Sequence, residues 1–229
     1  MYLYETHLHT APVSKCAKTS VFETLKFYKE VGYTGVFLTN HFLDGNINGD
    51  RSRPYEEQIR FFCTDYEDGV QIGHEIGLDV FFGVEMSYGG TDFLVYGLDK
   101  EWYLAHPEIM DMKKSQLLPF LMECGALVIQ AHPFREAKYI DHIRLFPRCV
   151  HGVEIYNACR TDFENAMAEQ YVQNYNLLSF AGSDNHVGSA LPKLSGMQTD
   201  TPIQSEADFV KRVLNGDMSV FRMKNPLAE

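Results

Sequence analysis

The chain has 229 residues, 45% of them hydrophobic and 22% charged, a composition that suits a soluble globular protein with one sizeable core. Its formal charge of −11 opposes tight non-specific binding to nucleic acid, which draws on Lys and Arg to displace phosphate counterions, although bound cations could change the local field. No apolar run reaches membrane-span length and the start does not read as a signal peptide. The five cysteines are scattered without a CxxC pair, so the expectation is a cytoplasmic protein with free thiols.

Met1–His7 reads as a strand. Ser20 with Glu23 is a capping-box signature, and Val21, Leu25 and Tyr28 then share one face of a helix that ends near Gly32. "GVFLT" (35–39) is a second strand, opening into the polar stretch "NHFLDGNINGDRSRP". A helix is predicted from about Pro54 to Ile76, interrupted in its propensity by Gly69 and Gly73. "DVFFGVE" (79–85) and "DFLVYG" (92–97) are strands, followed by a helix near 115–124 and the strand "ALVIQA" (126–131). A helix near 136–145, "GVEIY" (152–156), a helix from about Thr161 to Tyr175 and "LLSFAG" (177–182) come next. A final helix near 205–214 precedes "SVFRM". Apolar strands alternating with helices predict one α/β domain over 1–229, a parallel sheet covered on both faces and closed, or nearly closed, into a barrel.

Polar residues collect where these strands end. His7 and His9 follow the first strand and point to one face by their i, i+2 spacing. His41 follows the second strand, Glu85 ends the third, His132 follows "ALVIQA", and Asp184 and His186 follow "LLSFAG". The C-terminal ends of strands are where barrel and open α/β enzymes carry their sites. Each residue alone could cap a loop, but together they match the ligand chemistry of Zn²⁺, Mn²⁺ or Fe²⁺. His74, His106, His142 and His151 lack such positions and read as surface or structural residues.

The ordered set "HLH" (7–9), "TNH" (39–41), "GVE" (83–85), "AHP" (131–133) and "GSDNH" (182–186) resembles the polymerase and histidinol phosphatase (PHP) superfamily over nearly the whole chain. The resemblance implies a distorted seven-stranded (β/α) barrel with two or three divalent ions at its C-terminal face. Carried over by motif, His7, His9, Glu85 and Asp184 would hold one ion. Glu85 would bridge to a second that also takes His132, and His41 and His186 would serve a third. Two departures stand out. Family members often carry a His or Asp where this chain has Ser14 and Lys15, and some carry a His where only Asp92 is available.

The chemistry expected is phosphoester hydrolysis by metal-activated hydroxide, with Asp184, His186 and Glu85 as the catalytic set. Arg135, Arg160 and Lys15 are candidate phosphate contacts, and Asn157 is a candidate for orienting substrate. The preferred substrate is a small phosphomonoester, as in the histidinol phosphatase branch. A nuclease acting on nucleic acid ends and a non-catalytic metal-binding domain are the alternatives. Cys16 lies beside the unusual position 15 and could enter the site as a thiolate.

Overall fold

The computed structural model describes residues 1–228. Seven strands lie side by side in chain order: β1 (Tyr2–Glu5), β2 (Gly35–Leu38), β3 (Asp79–Tyr88), β4 (Thr91–Tyr96), β5 (Leu127–Ala131), β6 (Gly152–Asn157) and β7 (Leu178–Gly182). The far edge of β1 carries two more, β8 (Lys193–Thr199) and β9 (Ser219–Lys224), giving a nine-stranded sheet where seven strands were expected. The sheet curls until β7 returns to β1. Leu8 pairs with Asn185 in a parallel bridge, and the Thr6 hydroxyl donates to the Ala181 carbonyl.

The expectation of an all-parallel sheet is corrected at three places. β4 runs antiparallel to both β3 and β5, β8 is antiparallel to β1, and β9 to β8. The β3–β4 reversal is a hairpin through Gly89 and Gly90, whose φ values are 57° and 89°. Two successive positive φ values match the twist of flanking antiparallel strands and favour glycine.

The helices form the outer layer. Among them are α1 (Val21–Glu30), whose Ser20–Glu23 capping box is formed as predicted, and α5 (Lys114–Glu123) and α6 (Asp162–Tyr175). The expected helix over 54–76 is two, α2 (Tyr55–Phe62) and α3 (Thr64–Ile76). The break falls at Cys63, where the Thr64 hydroxyl donates to the Phe61 carbonyl and competes with the helical ladder. The short α4 (Lys100–Ala105) was not expected.

The helix predicted near 136–145 does not form. Gln130 instead accepts from the Phe146 N–H and donates to the Arg144 carbonyl, and Arg144 donates to Gly89 O in the hairpin. Tertiary partners thus take over the bonds that a helix would have made.

The last helix, α7 (Glu206–Asn215), closes the barrel floor. Its Phe209 enters the lumen with ring centroids 4.2 Å from Phe37 and 5.3 Å from Tyr96. Tyr4, Phe81 and Phe180 complete this aromatic plug. Each buried side chain of this size contributes about 1.5–3 kcal/mol of hydrophobic stabilisation. The plug leaves the opposite mouth, at the C-terminal ends of the parallel strands, for polar groups.

Candidate metal centre

His7, His9, His41, Glu85, His132, Asp184 and His186 come together at that mouth. The first strand delivers its pair as the alternation predicted. Leu8 points outward and packs in the α1 layer, while the rings of His7 and His9 both face inward with centroids 5.2 Å apart. Glu85 sits at the centre. It bridges across the backbone to His41 and lies 3.1 Å from His7 Nε2, 3.4 Å from His9 Nε2 and 3.4 Å from His132 Nε2. Asp184 Oδ1 is 3.5 Å from both His7 Nε2 and His9 Nε2.

Hydrogen bonds set which nitrogen each ring presents. His7 Nδ1 donates to Glu154 Oε1 at 3.0 Å. The Ser14 hydroxyl donates to Asn40 Oδ1 at 2.8 Å and so accepts from His9 Nδ1, 3.2 Å away. His186 Nδ1 donates to the Asp184 carbonyl at 2.9 Å. In all three, Nε2 is the atom left to bind something else.

His9 Nε2, His41 Nδ1, Glu85 Oε2 and both nitrogens of His132 are buried without a hydrogen-bond partner. His41 Nδ1 does stand 2.6 Å from Glu85 Oε2, though without hydrogen-bond geometry. Orphaned buried polar atoms are rare because each carries its full desolvation penalty. Together with His7, Asp184 and His186 they form three sets whose ligand atoms lie within 4.8 Å of one another: His7 with Glu85 and His132, His7 with His9 and Asp184, and His9 with His41 and His186. The donor set fits divalent transition metals, and the backbone supports it under strain. His132 (φ 23°) and Asp184 (φ 55°) both hold positive φ, a conformation that costs non-glycine residues on the order of 1–3 kcal/mol.

The charges interlock. Burial pushes the Glu85 carboxyl up, but His41, His7 and His9 around it hold it well below the usual range. Burial would lower His7, yet Glu154, Asp184 and Glu85 outweigh it and raise the ring. His9 is pushed down by burial and by His186 and His41. Asp92 is raised by burial and by Glu85.

Asp92 reaches the mouth because β4 is reversed, so its first residues lie where its neighbours end. Its Oδ2 is 3.8 Å from His132 Nε2 and 3.3 Å from Arg135 Nη1. Arg135 borders a cleft of about 580 Å³ with Cys16, His41, Asp44, Asp184 and His186. The other three candidate substrate contacts lie elsewhere. Lys15 is exposed and Arg160 half-buried, and neither lines this cleft. Asn157 is fully buried beneath the centre, donating to Glu154 Oε2 at 2.9 Å and Asp184 Oδ2 at 3.3 Å.

Sequence reading missed Glu154 and Glu5. Glu154 carries His7 and also accepts from the His132 N–H. Glu5 accepts from the N–H groups of Thr6, His7 and Ser183 and from the Tyr28 hydroxyl, tying β1 to β7 and α1. Burial nevertheless pushes its carboxyl up to about 7. A lone acid inside an apolar strand, as in "YLYET" and "GVEIY", was the available signal.

Comparison with known proteins finds relatives of this fold. A family model described as PHP-associated matches residues 162–218, which span α6, β7, β8 and α7. Over 96% of its length the chain superposes on a two-domain protein from Bacteroides vulgatus containing a predicted PHP-like metal-dependent phosphoesterase, with TM-score 0.68 and 13% identity. The chain shares the fold of that protein. It spans 64% of that two-domain protein. A protein from Bifidobacterium adolescentis, provisionally described as a metal-dependent phosphoesterase, is also similar (TM-score 0.56, 11% identity, 81% of this chain and 88% of that one). So is an amidohydrolase from Chromobacterium violaceum solved with bound sulfate and no metal (TM-score 0.56, 11% identity, 94% and 97%). No curated protein matches the sequence. Among the described residues, no helix is long and apolar enough to cross a membrane.

Proposed function

We propose that the chain is a metal-dependent phosphoesterase acting on small phosphomonoesters, of histidinol phosphatase-like type. The observation that carries this reading is the convergence of seven His, Glu and Asp side chains, four of which (His9, His41, Glu85 and His132) bury polar atoms with no hydrogen-bond partner. PHP-like phosphoesterases among the structural neighbours support the reaction class. His7, His9, Glu85 and Asp184 would hold one ion, Glu85 and His132 a second, and His41 and His186 a third. Bound divalent ions of Zn, Mn or Fe type would lower the pKa of water to about 7 (for Zn²⁺) and neutralise charge on phosphate oxygens.

The remaining work falls to the chain itself. Arg135 is held at the rim by Asp92 and by Tyr139, whose hydroxyl accepts from Nη2. Its guanidinium has five N–H groups, so it retains donors for a phosphate oxygen. Asp184 Oδ1 and His186 Nδ1 lie 3.3 Å apart beside the cleft, and while the third ion is absent delivery of a proton to the leaving alkoxide oxygen falls to His186. Glu154, Ser14 and Asn157 hold the rings and carboxylates in place, a positioning role. The acidic chain surface favours a small substrate over nucleic acid.

Phosphate release from a panel of small phosphomonoesters, run beside shortening of oligonucleotides with the metal-loaded protein, tests the proposal. Release from the small esters with intact oligonucleotides is the expected result. Oligonucleotide cleavage alone would make the protein a nuclease, and no activity on either would leave a metal-binding domain.

A further inference from the structure

We propose that Cys16 is a thiolate ligand of the ion that His41 and His186 hold, making that position selective for a thiophilic metal. This rests on the metal reading above and adds to it a ligand that the motif resemblance does not supply.

The loop after His9 carries the argument. Its residues alternate in direction: Ser14 turns inward to His9, Lys15 is exposed, and Cys16 turns back into the cleft. The residue that could not coordinate while protonated therefore faces solvent, and a sulfur occupies the inner place. Cys16 Sγ stands 3.2 Å from His41 Nε2. It lines the same cleft as His186.

The loop cannot readily carry the sulfur away. The Lys15 N–H donates to the Asn46 carbonyl at 2.9 Å, and the Lys18 N–H donates to the His186 carbonyl at 2.7 Å. Backbone bonds on both sides of Cys16 thus anchor it to the two elements that border the cleft.

A second observation is independent of the cysteine. His9 is fully buried, its Nε2 has no partner, and its ring lies 4.1 Å from that of His186 and 4.4 Å from that of His41. His9 thus borders both the position it shares with His7 and Asp184 and the one between His41 and His186, whose ligand atoms lie within 4.8 Å of its own. Coordination would release the thiol proton to solvent and form one metal–sulfur bond, with no redox change. A soft sulfur ligand favours Zn²⁺ or Co²⁺ over Mn²⁺ or Mg²⁺, which prefer oxygen.

The test is cobalt substitution of the apoprotein, followed by absorption. The expected result is visible d–d bands, showing that Co²⁺ has bound, together with a near-ultraviolet thiolate-to-cobalt charge-transfer band. That band should be lost in Cys16→Ser and kept in Cys159→Ser, the other thiol near Asp184. Cys16→Asp, which restores an oxygen ligand, should still bind the ion but without the band. Zinc affinity at the weakest position should fall at least about tenfold in Cys16→Ser. Cobalt binding without a charge-transfer band, or a band that survives in Cys16→Ser, overturns the proposal while leaving the metal centre intact. No cobalt uptake overturns both readings. Circular dichroism of each apo variant confirms that the comparison is between folded proteins.

Discussion

His7 Nδ1 stands 3.0 Å from Glu154 Oε1, and this bond turns His7 Nε2 toward Glu85. Glu154 uses its second oxygen to accept from the His132 N–H and from Asn157 Nδ2, so all of its partners donate. An amide at this position must turn its own NH₂ toward one donor. Glu154→Gln should therefore weaken metal binding by about 10–100-fold, the usual effect of disturbing a ligand's supporting bond. Competition against a chelator of known affinity measures this. Unchanged affinity would mean that the carboxylate does not orient His7.

The folded protein should take up at least two transition-metal ions per chain, because Glu85 can bridge only if both positions fill. Binding to the native state alone stabilises it by linkage, by about 2.7 kcal/mol at a hundredfold excess over Kd. Chelation should accordingly lower the melting temperature. Elemental analysis after Zn²⁺ or Mn²⁺ reconstitution that finds less than one ion would remove the basis for metal chemistry.

Hydrolysis of a generic aryl phosphate should require metal, and Glu85→Ala or His132→Ala should abolish it. His74→Ala and His142→Ala should retain near-parental rates, as both rings are exposed outside the centre. Comparable losses in all four would show that position at the barrel mouth does not select the functional histidines.

Arg135 and Lys15 make opposite predictions. Arg135→Lys keeps the charge but loses the planar fork, so KM for a phosphomonoester should rise roughly tenfold with a smaller change in kcat. Lys15→Ala should leave KM within about twofold, because its side chain is exposed and outside the cleft. Steady-state kinetics of the two variants reads both. A large KM effect at Lys15 would mean that the loop bends inward when substrate binds.

Gly182 marks the tightest contact in the barrel seam. A Cβ added there would stand 2.4 Å from His7 Cβ and 3.0 Å from the His7 amide nitrogen. Gly182→Ala must push β7 away from β1 exactly where the first ligand sits. It should cost on the order of 1–3 kcal/mol or more and also reduce bound metal. Urea unfolding and elemental analysis check the pair of effects, and a variant as stable as the parent would show that the seam is loose.

The His, Glu and Asp side chains that converge at the mouth and the alternation of strand and helix were legible in the chain because both are local. His7 and His9 share a face through the two-residue period of a strand, and Ser20 with Glu23 starts α1 through a hydrogen bond across one turn. Apolar strands ending in His, Glu or Asp also identify the mouth of the barrel without any knowledge of strand order. What only the tertiary structure decided depends on pairing between distant segments. The reversal of β4 brings Asp92 to the mouth, and β8 and β9 extend the sheet beyond the expected seven strands. In the same way Gln130 and the hairpin displace a helix at 136–145. Glu154 and Glu5 look in the sequence like stray acids in apolar strands. Their roles exist only once N–H groups 22 and 178 residues away, at His132 and Ser183, are folded against them. A local pattern fixes which side chains share a face, but direction, register and the partner of a buried carboxylate are set by long-range contacts.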